Sequence, residues 1–257
     1  MLSGAVDLAV HSSKDMPAVL PDGLEVGAVL PREDARDAVI LPQAARGVMA
    51  LDELLRMLGP KPRVGTSSVR RSAQLTRLVP GAQFLPVRGN LDTRLRKLDA
   101  GDYDALVLAA AGLRRLEYGD RISTTLPPDT CVPAPGQGII AVEVRSGDGN
   151  VSRLVRTIDD PEASLALRAE RAVVSRLGGG CQMPIGAYAR VSGDTLALEG
   201  IVVSIDGARI ARANATGPAT APEAVGIAAA EQLLARGADR ILEDVQRAQA
   251  AVEGLQP

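Results

Sequence analysis

Short apolar runs separated by polar punctuation fill the first half of the chain. Val6-Asp7-Leu8-Ala9-Val10, Val39-Ile40-Leu41, Pro62-Arg63-Val64-Gly65, Gln83-Phe84-Leu85-Pro86-Val87, Asp104-Ala105-Leu106-Val107-Leu108 and Ile139-Ile140-Ala141-Val142-Glu143-Val144 read as strands. Helix-like segments follow the third, fourth and fifth of these, and Leu51 to Leu58 has the spacing of a short amphipathic helix. Strand followed by helix, repeated, predicts βαβ units on a mostly parallel sheet. Pro127-Pro128 and Pro133-Ala134-Pro135-Gly136-Gln137-Gly138 break the rhythm as connector or hinge. Beyond them the pattern changes. Pro161 to Leu177 reads as a helix, and Gly186 to Val191, Thr195 to Val203 and Ala208 to Arg212 as antiparallel strands, with Asp206-Gly207 as a turn signal. Helices over Pro222 to Ala235 and about Asp239 to Val252 complete a separate α+β domain.

Composition narrows the class of protein. At 257 residues, 46% apolar and 23% charged, the chain can bury a sizeable core in two or three domains. No window approaches the apolar length of a membrane span, and Met1-Leu2-Ser3-Gly4 lacks the basic and apolar regions of a signal peptide. A cytoplasmic location is expected, with the two cysteines reduced. A net charge of −2, 2% aromatics and no Trp argue against nucleic-acid binding.

Basic residues are three lysines and twenty-six arginines, and the distinctive arginines lie just after strands, where open α/β sheets hold ligands. Gly65-Thr66-Ser67-Ser68-Val69-Arg70-Arg71, Arg88-Gly89-Asn90 with Arg94, and Ala111-Gly112-Leu113-Arg114-Arg115 close successive strands. A cation at a helix N-terminus opposes the macrodipole by about 0.3–1 kcal/mol unless an anion lies there. Three such junctions predict a cradle for carboxylate or phosphate built of guanidiniums, hydroxyls and backbone N–H groups. No Walker-type or dinucleotide-binding glycine loop is present.

A fourth strand end reads Val10-His11-Ser12-Ser13-Lys14-Asp15-Met16-Pro17, which holds the Asp15 carboxylate beside the positive crevice, able to bind an N–H group and pass protons. A solvated Lys-Asp turn is the plainer reading of the same residues. Cys181 follows three glycines in Leu177-Gly178-Gly179-Gly180-Cys181-Gln182-Met183-Pro184, a position ill suited to core packing and well suited to carrying a bulky group. Cys131 reads as a small packing residue and His11 as a satisfied strand-end residue, although a Cys181–His11 nucleophilic pair is a further reading.

His11-Ser12-Ser13-Lys14-Asp15-Met16-Pro17, Gly65-Thr66-Ser67-Ser68-Val69-Arg70-Arg71, Arg88-Gly89-Asn90 with Thr93-Arg94-Leu95, Tyr103-Asp104-Ala105 running to Ala111-Gly112-Leu113, Pro133-Ala134-Pro135-Gly136-Gln137-Gly138, and Gly179-Gly180-Cys181-Gln182-Met183-Pro184-Ile185-Gly186 together resemble the hydroxymethylbilane synthase (porphobilinogen deaminase) family. The motifs occur in the family's order from residue 5 to about residue 245. The resemblance implies a transferase of tetrapyrrole, haem and porphyrin biosynthesis that joins four porphobilinogen molecules head to tail into hydroxymethylbilane with release of ammonia. It implies a dipyrromethane cofactor joined through a thioether to Cys181, a catalytic Asp15 that stabilises an azafulvenium-like intermediate, and cofactor contacts from Ser12, Lys14, Thr66, Ser67, Ser68, Arg70 and Arg71. Arg88, Arg94 and Arg115 would grip substrate carboxylates, and no metal is implied.

The expected architecture is α/β: two periplasmic-binding-protein-like lobes plus a small C-terminal α+β domain. The first lobe is expected at residues 1–31 and 139–157 and is incomplete, because the family's N-terminal segment has no counterpart here. The second lobe is expected at 36–132 and the cofactor-attachment domain at 158–257, with crossings near Leu30 to Ala35 and Pro135 to Ile139 as the hinge. The protein is expected to be a monomer with a small-molecule substrate and no nucleic-acid or membrane partner. Residues 1–257 alone are expected neither to assemble the cofactor nor to turn substrate over. A non-catalytic two-lobed anion-binding protein is the alternative.

Overall fold

The computed structural model describes residues 1–45, 47–180 and 183–253. Along the chain, β1 (Leu8–Ser12) and β2 (Leu24–Val29) come first. An alternating run follows: β3 (Asp37–Ile40), α1 (Leu51–Leu58), β4 (Arg63–Gly65), α2 (Val69–Leu75), β5 (Gln83–Leu85), α3 (Leu91–Asp99), β6 (Ala105–Ala109), α4 (Ala110–Arg115) and β7 (Thr124–Thr125). Next are β8 (Ile140–Arg145), α5 (Gly149–Val155) and α6 (Pro161–Leu177), then β9 (Ile185–Ser192), β10 (Thr195–Val203), β11 (Ile210–Pro218), α7 (Pro222–Ala235) and α8 (Ala238–Glu253).

These elements form two α/β lobes and a C-terminal α+β domain around three sheets, ordered β1-β8-β2, β5-β4-β6-β3-β7 and β11-β10-β9. Among the described pairings only β4 with β5 and β4 with β6 are parallel, which corrects the expectation of a mostly parallel sheet. Helical crossovers through α2 and α3 serve those strands. β3 and β8 instead arrive by crossing from the other sheet, so they enter antiparallel to their neighbours. β2 was not among the expected strands. Gly27 interrupts its apolar run at a register shift between Val26 and Ala28, and a Cβ there would lie 2.8 Å from Val144 and 2.9 Å from Val155.

The two crossings are bonded to each other. The Glu33 amide donates to the Gly138 carbonyl at 3.0 Å, and the Gln137 Nε2 donates to the Ala35 carbonyl at 2.6 Å. Gly138 has φ +89, and a Cβ on it would come within 2.3 Å of the Glu33 carbonyl oxygen, so no other residue permits this approach.

α6 begins with Pro161 in its first turn and the Asp160 carboxylate accepting from the Ala163 amide at 2.7 Å; it stops at Gly178, φ 65. Its buried face packs with α7 on the meander β9–β10–β11 through Ala169, Val173, Leu198, Ala213 and Leu233. The same helix reaches the crossings. Glu170, fully buried, accepts from Arg32 Nη1 at 2.6 Å and Nη2 at 3.3 Å, from the Gly136 amide at 2.6 Å and from the Ala189 amide at 2.7 Å. Arg32 lies 4.9 Å from the Tyr188 ring centre, over its face. No helix among the described residues is long and apolar enough to cross a membrane.

Candidate active site

The cleft between the two lobes is built from four chain segments, one of them the crossing that carries Ala134 and Gln137. β1 leads into a single 3-10 turn, Ser13–Asp15, closed by the Met16 amide donating to the Ser13 carbonyl at 3.2 Å. This turn presents Lys14 and Asp15. β4 ends at Gly65, after which Ser68 caps α2 by accepting from the Arg71 amide at 3.4 Å. α3 supplies Arg94, whose Nε donates to the Gly89 carbonyl at 2.8 Å. Lys14, Asp15, Ser67, Ser68, Arg70, Arg71, Arg94 and Gln137 together border a cavity of about 300 Å³.

Arg70 and Arg71 are not free cations on the cleft wall. Both are buried and converge on Asp37, the first residue of β3 and itself fully buried. Arg70 Nη1 and Nη2 donate to the Asp37 oxygens at 2.7 and 3.1 Å, and Arg71 Nε donates to Oδ1 at 2.8 Å. Gln137 Nε2 adds a bond to Oδ1 at 2.9 Å, and the Cys131 thiol lies 3.3 Å from Oδ2. Burial pushes the Asp37 carboxyl upward, but the fields of Arg70 and Arg71 outweigh it and hold the group far below the usual carboxylate range. One carboxylate answers two guanidiniums, so a positive charge is left over.

Lys14 adds to that surplus. Burial, with Arg71 close by, pulls its pKa from 10.5 to about 8. Asp15 is exposed at the cleft mouth. Across the cleft, four cations face the carboxylates of Asp15 and Asp37, which suits a ligand carrying several negative charges.

Of the remaining expected site residues that the structure describes, only Ser67 borders the cleft. Thr66 is buried, and its Oγ1 accepts from the Ser68 amide at 3.3 Å, shaping the loop without bordering the cleft. The Ser67 hydroxyl donates to the Val87 carbonyl at 2.8 Å and accepts from the Val87 amide at 3.1 Å, pinning the end of β5. Ser12 ends β1 and Arg88 is exposed; neither borders the cavity. Arg115 donates to the Gly138 carbonyl at 2.8 Å, a contact with the crossing. Cys181 lies outside the described residues, although Gly180 and Met183 border a second cavity that shares Lys14, Ser68 and Arg70 with the cleft.

His11 is satisfied as expected, its Nε2 at 2.9 Å from Glu143 Oε2. Cys131 is a fully buried core residue with a polar neighbour, its thiol pushed up to about 12 by burial and by Asp37. Asp37, Gln137 and Glu170 were missed by sequence reasoning. The signal available was an acidic residue opening the apolar run Asp37-Ala38-Val39-Ile40. No group of His, Cys, Asp and Glu able to hold a metal ion occurs among the described residues.

Fold and cleft together define a two-lobed α/β protein with a cation-lined cleft where the lobes meet, joined to a C-terminal domain. Residues 1–153 match the family model "Porphobilinogen deaminase, dipyromethane cofactor binding domain", and residues 164–235 match "Porphobilinogen deaminase, C-terminal domain". The chain belongs to the porphobilinogen deaminase family. The porphobilinogen deaminase of Moorella thermoacetica is 46% identical over 99% of this chain and 79% of its own length. That of Carboxydothermus hydrogenoformans is 45% identical over 96% and 77%, and that of Roseiflexus castenholzii 48% over 94% and 77%. Solved structures align loosely: the VFT2 domain of Bordetella pertussis BvgS covers 68% of this chain and 69% of its own at 19% identity and TM-score 0.36.

Proposed function

We propose that the chain works as a hydroxymethylbilane synthase, a transferase that joins four porphobilinogen molecules head to tail and releases one ammonia for each. The observation that carries this reading is the placement of Asp15 at the mouth of a cleft whose walls hold Lys14, Arg70, Arg71 and Arg94. Each porphobilinogen brings two carboxylates, so the growing product is a polyanion, and these cations match it.

The donor set fits the family's dipyrromethane group: guanidiniums, an ammonium and the Ser68 hydroxyl for its carboxylates, and the apolar side chains of Val174, Met183 and Ile185 beside them. When bound, dipyrromethane supplies the free pyrrole carbon at which the chain is extended. Cys181 is its attachment point, through a thioether. Asp15, as a carboxylate, accepts a hydrogen bond from the pyrrole N–H of the incoming substrate; the protonated amine leaves as ammonia with the electron pair of the broken C–N bond, Asp15 faces the positive charge left on the substrate, and it takes up the ring proton displaced when the units are joined. Arg70 and Arg71, fixed by Asp37, orient carboxylates without first being ordered themselves. Ser67 and Thr66 hold the loop that presents them. Arg88 and Arg115 extend the grip to later units.

The lobes are taken as residues 1–31 with 139–157 and 36–132, and the attachment domain as 158–257. The protein is taken to act as a cytoplasmic monomer without membrane partners, and its net charge of −2 and 2% aromatic content speak against a nucleic-acid partner.

Intact-mass spectrometry after exposure to hydroxymethylbilane tests this function. A two-pyrrole adduct lost in Cys181→Ala, with ammonia release from porphobilinogen, supports this function and overturns the expectation from the sequence that residues 1–257 alone neither assemble the cofactor nor turn substrate over. An unmodified Cys181 thiol in a protein that still binds carboxylates reversibly favours the non-catalytic anion binder instead.

A further inference from the structure

Asp37 is not the sole partner of Arg70. Arg70 Nη1 also donates to the Val132 carbonyl at 2.7 Å. Gln74 lies one turn further along α2, on the same face, and reaches the same residue. Its Nε2 donates to the Val132 carbonyl at 3.1 Å, and its Oε1 accepts from the Val132 amide at 2.8 Å. One side-chain carboxamide thus pairs with both polar groups of Val132, as a neighbouring strand would. Gln74 is 7% exposed and borders neither of the cavities that Arg70 borders.

Val132 is fully buried where the chain leaves the second lobe for the crossing, and it packs with Ala73 of α2 and with Ile201 and Val203 of β10. The Pro133 carbonyl accepts from the Ala187 amide of β9 at 3.0 Å. A Cβ on Gly186 would come within 2.8 Å of the Val132 oxygen, so the glycine lets β9 approach this closely. Val132-Pro133 is therefore held by α2 through Gln74 and by the attachment domain through β9.

We infer that Gln74 is a positioning residue for the cleft: by fixing the Val132 carbonyl it fixes the Arg70 guanidinium, and it does so relative to the domain that carries Cys181. Two bonds to one carboxylate leave a guanidinium able to swing about that carboxylate, and a third acceptor outside the pair stops it. The grip on a ligand and the tether that bears it are then referenced to the same two residues. That the ligand is a pyrrole chain rests on the function proposed above; the positioning of Arg70 does not.

The test is Gln74→Met in the whole chain, with two readouts: sulfate affinity by calorimetry, and rotation of the Arg70 guanidinium from the line shapes of its Nη signals in 15N NMR. The expected result is about fivefold weaker sulfate binding, the worth of one hydrogen bond, together with Nη signals that are separate in the parent and merged in the variant. Leu242→Ala, a cavity in the core of the attachment domain, supplies a destabilised control and should move neither readout. Parent-like rotation of Arg70 in Gln74→Met overturns the inference, as does an equal loss of affinity in Leu242→Ala, which would make Gln74 a packing residue. Should Gln74→Met fail to fold, Gln74→Glu keeps the acceptor for the Val132 amide and removes the donor to its carbonyl; unchanged Arg70 signals there overturn the inference equally. The rotation readout needs no anion. Mass spectrometry of Cys181 reads the other question separately: a protein whose Arg70 is freed by Gln74→Met but whose parent never acquires a pyrrole adduct keeps the positioning residue and loses the proposed function.

Discussion

Glu170 meets one guanidinium and two backbone amides, whereas Asp37 meets two guanidiniums, a carboxamide and a thiol. Both carboxylates are fully buried, and each ties distant segments together. Charge balance separates them. At Glu170 the charges cancel and Arg32 and the two amides converge on one acceptor, so the arrangement is closed and holds the crossings to the C-terminal domain. At Asp37 one positive charge remains, and an Arg70 nitrogen lacks a partner among the described residues. A buried ion pair that cancels serves architecture; one that does not keeps a positive charge able to attract an anion.

Removing each carboxylate in turn is the strongest way to break this contrast. Glu170→Ala strands a partly buried Arg32 and two buried backbone amides and should cost about 3 kcal/mol in chemical denaturation, with no recovery on adding anions. Asp37→Asn should cost about 3 kcal/mol, and propionate or sulfate should restore part of it, because an anion can take the missing carboxylate's place. Equal response of the two variants to anions would erase the distinction. The Asp37 carboxyl titrates below its unfolded value of 3.8, so its contribution is complete above that value and is lost only as pH falls through the lower folded one. Acid unfolding of the parent should therefore have a component at very low pH that is missing from Asp37→Asn.

Lys14 sharpens the comparison on the alkaline side. Its folded pKa is depressed, so the unfolded chain holds the proton more tightly and stability rises as pH climbs from about 8 toward 10.5. Anion binding runs the other way, since only the ammonium attracts a carboxylate. Propionate affinity should fall severalfold between about pH 7 and pH 9 in the parent and stay flat in Lys14→Met, measured by calorimetry. The smallest effect belongs to the helix surface. Arg176 and Glu231 bridge α6 and α7 at 2.7 Å with about half of each side chain exposed, and Arg176→Ala should change stability by about 0.5 kcal/mol or less.

Local signals made much of this molecule readable in advance. α6 and α7 carry proline in their first turns, β10 is a long alternating run, and the glycines after Leu177 stop a helix, so their bounds could be read off directly. β2 was hidden because Gly27 and a bulge break its alternation. Strand direction was hidden because it depends on which sheet the chain has just left. At the site, residue types were legible and partnerships were not. Lys14, Asp15, Ser68 and Arg94 border the cleft as their strand-end positions suggested. Arg70 and Arg71 are committed to an aspartate 33 and 34 positions away, and Cys131 to the same one 94 positions away, distances over which sequence carries no local signal. Gln74 looked like any helix glutamine until its bonds to Val132 were known.

α6 also works as a lever. Glu170 grips both crossings seven residues before the helix ends at Leu177, roughly 10 Å along a rigid rod at 1.5 Å per residue. The glycines that lead to Cys181 start at the far end of that rod. Their position is therefore referenced to the two crossings and, through Ala163 and Leu167 packed with Met16, Val29 and Ile139, to the layer of β1, β8 and β2, so a shift of that layer carries the start of the segment with it.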